Sequence, residues 1–230
     1  MAITDFGETS DGLPFFAMEY LDGEDLGARL DRVGRVSRGT ARDWMRQVLD
    51  ALEEAHRHGV VHRDLEPENC FLARAGDRER IKIVDFGIAK LIYEQDATRL
   101  TGEGHLIGTP HYMSPEQAVG KPIDARSDVY TCGVMFFELL TGQLPFDGGP
   151  AMAILSQHIT QPPRTLAQAA PGESFSAGLE ALVARALAKD PAGASAIVVS
   201  CRSGTQMQGS PEPVDACLQC MYISYHVPTD

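Results

Sequence analysis

From Ala41 to Leu52, apolar residues fall at Ala41, Trp44, Met45, Val48, Leu49 and Leu52, the three- and four-residue spacing of a helix that buries one face. Thr40 stands just before that run as a candidate cap, since a hydroxyl there can accept from a first-turn amide. Upstream the pattern is different. Residues 1 to 20 hold two apolar segments around Ser10-Asp11-Gly12, and Leu13 to Tyr20 reads as a strand returning from that turn. Residues 70 to 73 and 81 to 84 read as two further short strands around Gly76-Asp77.

The second half is helical. Between Ser127 and Leu140 apolar residues occupy all sides, which predicts a helix buried all round and stopped by Gly142. Leu179, Leu182, Val183, Ala186 and Leu187 lie at i, i+3, i+4, i+7 and i+8 of an amphipathic helix from about 178 to 189. The Pro- and Gly-bearing stretch 145 to 177 predicts loops and shorter helices. Beyond Pro191 the periodicity ends and Ser, Gly, Pro, Gln and Cys dominate, so 192–230 reads as an irregular tail.

Composition narrows the function. Twenty basic against thirty-two acidic residues give a net charge of −12, which argues against nucleic acid or an anionic membrane surface as partner. The longest apolar stretch, Cys132 to Leu140, is too short for a bilayer and is interrupted by Gly133 and Glu138. No signal peptide opens the sequence, so the cytoplasm is the expected compartment. Cys70 and Cys132 sit in apolar contexts as core thiols, while Cys201, Cys217 and Cys220 crowd the tail. Cys217 and Cys220 with Cys201 and His226 nearby make a weak zinc-site pattern.

Three motifs carry chemistry, in order: His62-Arg63-Asp64-Leu65-Glu66-Pro67-Glu68-Asn69, then Asp85-Phe86-Gly87, then Gly108-Thr109-Pro110-His111-Tyr112-Met113-Ser114-Pro115-Glu116. In the first, Asp64 can take the proton of an incoming hydroxyl, and Asn69 with Asp85 can hold Mg²⁺ against a polyphosphate. Asp5-Phe6-Gly7 repeats the second tripeptide but follows no such loop, and is a coincidence of strand and turn.

From about residue 3 to about residue 191 the chain resembles a eukaryotic-type serine/threonine protein kinase of the kind found in bacteria. The resemblance implies an α+β, protein-kinase-like fold over 1–191, mainly the helical C-terminal lobe with a remnant of the small lobe's sheet. It implies ATP and Mg²⁺ as cofactors and a protein bearing Ser or Thr as substrate. Met18 would be the gatekeeper, Glu19 to Leu21 the hinge whose backbone meets adenine, Glu24 or Asp25 the neighbour of the ribose, and Phe71 the floor under the base. Asp64 would be the catalytic base, Thr109 the threonine in contact with it, and Asn69 and Asp85 the metal ligands. Asp128 would brace the catalytic loop backbone. Thr98 and Thr101 in the activation segment would be phosphorylated, with Arg63 receiving the phosphate.

The sequence also departs from the family. No Gly-rich loop precedes Phe15, and the first lysine anywhere is Lys82, so the small-lobe lysine that pairs the α- and β-phosphates has no counterpart. Glu66 stands where serine/threonine kinases carry a lysine that touches the γ-phosphate. After Lys189-Asp190-Pro191, Ala192-Gly193-Ala194-Ser195 replaces the arginine expected to pair with Glu116. Two readings follow: a serine/threonine kinase whose small lobe is supplied by a partner or by more chain, or a non-catalytic C-lobe fragment or docking pseudokinase.

Overall fold

A computed structural model describes residues 3–76, 78–85 and 109–190. The chain opens with an antiparallel hairpin, β1 (Ile3–Glu8) and β2 (Pro14–Met18), in the register Phe6 opposite Phe16 and Gly7 opposite Phe15. Gly12 turns it at φ +81°, a left-handed conformation that favours glycine, and its amide donates to the Thr9 carbonyl. Phe6, Leu13, Phe15, Met18 and Tyr20 are exposed on and beside this hairpin. Two strands alone are marginally stable in water, so such a face suits further packing.

A second sheet has the order β3-β4-β5, all antiparallel, from Gly23–Asp25, Cys70–Ala75 and Arg78–Ile83. Its central register sets Asp25 opposite Phe71 and Phe71 opposite Lys82. The last two strands are those expected around Gly76, each six residues long where four were expected. β3 has no sequence signature because three residues cannot display a period. Helix α1 (Leu26–Val33) follows directly, capped by Asp25, whose carboxylate accepts from the Ala28 amide at 2.8 Å.

Helix α2 (Arg38–Arg57) buries the six apolar positions that the spacing predicts. Its cap is Ser37 and not Thr40: Ser37 Oγ accepts from the Thr40 amide at 3.1 Å. A cap hydroxyl reaches the amide three residues on, so Thr40 is the third helical residue and receives the capping bond on its own N–H.

Helices α3 (Pro115–Ala118), α4 (Ala125–Thr141), α5 (Ala151–Thr160), α6 (Leu166–Ala169) and α7 (Ala177–Ala186) complete the lobe. Central α4 is buried almost throughout and ends at Gly142, φ +70°, whose amide returns to the Glu138 carbonyl. Both α2 and α7 pack against it. Gly133 makes the second contact close, since a Cβ there would lie 2.8 Å from Ala186 Cβ. α7 begins with a Ser176 cap and stops at Ala186, short of the expected end, while Leu187 stays fully buried beyond it.

Candidate active site

The loop after α2 is fixed by one buried carboxylate. Asp128, in the first turn of α4, accepts the His62 amide at 2.8 Å on Oδ2, the Arg63 amide at 3.0 Å on Oδ1, and His56 Nε2 at 2.7 Å on Oδ2. This is the brace expected of Asp128, with His56 added. Arg63 is held at φ +68°, a costly conformation for a residue with a Cβ, and Gln117 Nε2 donates to its carbonyl at 2.7 Å.

Asn69 links the two halves of the site. Its Nδ2 donates to the Asp64 carbonyl at 2.8 Å, its own amide donates to the Glu66 carbonyl at 3.1 Å, and its carbonyl accepts from Val84 N at 2.9 Å. His62 Nε2 donates to the Val84 carbonyl at 3.1 Å, and burial holds this imidazole below its ordinary pKa. The segment leaving β5 is thereby seated on the loop, and the next residue, Asp85, is exposed at φ +55°. Asn69 Oδ1 and the Asp85 carboxylate are hard oxygen donors that fit Mg²⁺. An ion of that kind takes one or two protein carboxylates and completes its shell with water and phosphate oxygens. Among the described residues there is no group of three or more His, Cys, Asp or Glu arranged to hold a metal ion.

Arg63, Asp64, Glu66, Thr109 and Gln117 line one small polar cleft. Thr109 thus borders the same space as Asp64, and the acidic Glu66 lies there too. Just beyond, Tyr112 OH donates to Glu138 Oε2 at 2.7 Å, and its carbonyl accepts Thr131 Oγ1 at 2.8 Å. Burial raises the Glu138 carboxyl above its ordinary pKa while the Tyr112 bond opposes it.

On the other side of the sheet's loops, Met18 ends β2, and Glu19 Oε2 pairs with Lys82 Nζ at 2.5 Å. Asp25, Phe71 and Lys82 adjoin across β3, β4 and β5. Leu21 is half-buried between β2 and β3. Of the two candidates for the ribose, Asp25 caps α1, and Glu24 accepts from Arg29 and Arg32, each at 2.5 Å.

Glu116 accepts from a neighbouring helix, because Ser127 Oγ donates to its carboxylate. The hydroxyl arrives from the first turn of α4, a long-range meeting that motif order cannot reveal. His56 and Gln117 were missed for the same reason. Cys70 and Cys132 are buried free thiols, as expected. Phe86, Gly87, Thr98, Thr101 and Gly108 lie outside the described residues, as do Cys201, Cys217, Cys220 and His226.

The α+β lobe and the order of its motifs are those of the protein-kinase class. The sequence model of the protein kinase domain matches residues 2–197. The chain is 42% identical over 194 residues to the serine/threonine-protein kinase pkn3 of Myxococcus xanthus, covering 84% of this chain and 36% of that protein. It is 42% identical over 188 residues to pkn2 of the same organism, covering 82% and 22%. Identity to PknB of Mycobacterium leprae is 39% over 194 residues, covering 83% and 30%. This chain belongs to the protein kinase family, and it spans about a third or less of the length of these relatives.

Proposed function

We propose that the chain is the large lobe of a serine/threonine protein kinase that transfers the γ-phosphoryl group of ATP, with Mg²⁺, to Ser or Thr hydroxyls of a protein. The observation that carries this reading is the double tie of Asn69, to the Asp64 carbonyl and to Val84 N, which keeps proton acceptor and metal ligands on adjoining loops. Asp64 takes the hydroxyl proton as the phosphoryl group arrives. Asn69 and Asp85 orient the metal, which when bound neutralises charge on the phosphates. Glu19 to Leu21 meet the base by backbone groups, Met18 and Phe71 flank it, and Thr109 fixes Asp64.

Asp64→Asn keeps the shape of the loop and removes the proton acceptor. A fall of about 10²- to 10⁴-fold in transfer to a Ser/Thr peptide is expected, with thermal stability unchanged. Full activity in this variant would remove Asp64 from the mechanism.

Thr98 and Thr101 are the proposed regulatory sites, and Arg63 the receiver of their phosphate. Intact mass after incubation with an active kinase should rise by one or two phosphates, and no gain would dismiss them. The kinase unit is proposed to span 1–191, with 192–230 a separate tail. Among the described residues no helix is long and apolar enough to cross a membrane, and we place the protein in the cytoplasm. The exposed Phe6, Leu13, Phe15 and Tyr20 suit further strands of a small lobe, from the same polypeptide or a partner.

A second reading rests on Glu66 alone: a non-catalytic, kinase-derived docking module. Calorimetry with MgATP separates the two. Binding in the micromolar to millimolar range supports the enzyme, and none supports the module.

A further inference from the structure

The four residues 19–22 between β2 and β3 form no regular secondary structure, so their placement depends on ties from outside. Among the described residues the segment is tied at each end. Lys82 on β5 pairs with Glu19 at 2.5 Å, across 63 residues of sequence. On β4, the Arg74 amide donates to the Asp22 carbonyl at 2.8 Å, and its guanidinium lies 3.7 Å from the Asp22 carboxylate. The segment is therefore fastened to two adjacent strands of one sheet.

The register gives the first tie its significance. Directly opposed residues of an antiparallel pair present their side chains to the same face, so Lys82 shares a face with Phe71. The ammonium that holds Glu19 stands on the surface proposed as the floor of the base site. Both partners are about one-third exposed, at 33% and 32%, and the pair is only partly screened by water.

We propose that Lys82 is a positioning residue for the nucleotide base: by pairing with Glu19 it fixes the connecting segment above Phe71, so that the backbone groups of Glu19 to Leu21 are aimed before nucleotide arrives. This rests on the reading of 19–21 as the base-binding segment. Hydrogen bonds from a pre-set backbone cost less ordering on binding than those from a mobile one.

The test uses the whole 230-residue chain and two readouts. Lys82→Met keeps the apolar stem on the sheet and removes the charge. An ion pair about one-third exposed is worth at most about 1 kcal/mol, or roughly fivefold. Amide exchange of residues 19–22 should therefore quicken about three- to fivefold without nucleotide, and the Kd for MgADP should rise by a similar factor. The charge swap Lys82→Glu with Glu19→Lys should restore both, which a lysine contacting nucleotide directly would not permit. Unchanged exchange or unchanged Kd in Lys82→Met overturns the positioning role while leaving the nucleotide reading intact. No MgADP binding by the unaltered chain overturns that reading, and the role with it.

Discussion

Glu66→Lys is expected to raise the rate of phosphoryl transfer by about a hundredfold to ten-thousandfold. Glu66 lines the cleft that holds Asp64 and Thr109, at the position where the kinase resemblance puts a cation against the γ-phosphate. Two unit charges about 4 Å apart interact by about 4 kcal/mol at an effective dielectric near 20. Exchanging repulsion for attraction therefore lowers the barrier by several kcal/mol, and each 1.36 kcal/mol is worth about a decade in rate. Glu66→Gln removes the repulsion without adding a cation and should fall between the two on a logarithmic scale. Single-turnover transfer from saturating MgATP to a Ser/Thr peptide reads the effect. Were the lysine variant folded and no faster than the parent, Glu66 would not face the transferring phosphate.

The largest loss of stability is expected from Asp128→Ala. One carboxylate satisfies the buried amide of His62, the partly buried amide of Arg63 and the ring of His56. The Asp128 and His56 side chains are only 2% and 3% exposed, so water cannot take over without opening the lobe. Deleting one side of such a buried pair costs about 3–5 kcal/mol. It also releases Arg63 from its left-handed conformation, so the catalytic loop should relax and transfer should fall with stability. Urea unfolding measures the first part, and a midpoint shift corresponding to under about 1 kcal/mol would refute the account. Asp128→Asn should cost less, since one acceptor oxygen survives, though its NH₂ then faces groups that also donate.

What could be read from the sequence follows the range of the interaction responsible. The face of α2 was legible residue by residue because a helix repeats its burial every three or four positions, and α4 because its apolar density leaves no polar side. The Gly76 turn and the Gly142 stop were legible because each depends on a backbone conformation local to one glycine. The start of α2 was misplaced by three residues: Ser37 and Thr40 both carry hydroxyls, and only backbone geometry shows which one accepts. β3 and α1 were invisible, the former too short for a period and the latter burying only Leu26 and Leu30.

Motif order singled out Asp64, Asn69 and Asp85, which the fold sets on adjoining loops, and the resemblance anticipated the Asp128 brace. The ties between segments far apart in sequence were not legible. Ser127 to Glu116, Gln117 to Arg63, and Lys82 to Glu19 each join polar residues that are ordinary on any surface, and only the packed lobe brings them together.

Asp128, Thr131 and Glu138 all lie on α4, yet they serve two different segments. The first holds the loop of Asp64, and the other two hold Tyr112, three residues beyond Thr109. One helix thus sets the Asp64 loop against the strip of chain around Tyr112, with Thr131 about 4.5 Å and Glu138 about 15 Å along its axis from Asp128 at 1.5 Å per residue. Insertions in the loops flanking α4 leave that spacing alone. A single residue inserted between Asp128 and Thr131 would turn everything beyond it by about 100°, and no side-chain adjustment could then keep both segments in register, so the loops and not α4 can absorb added residues.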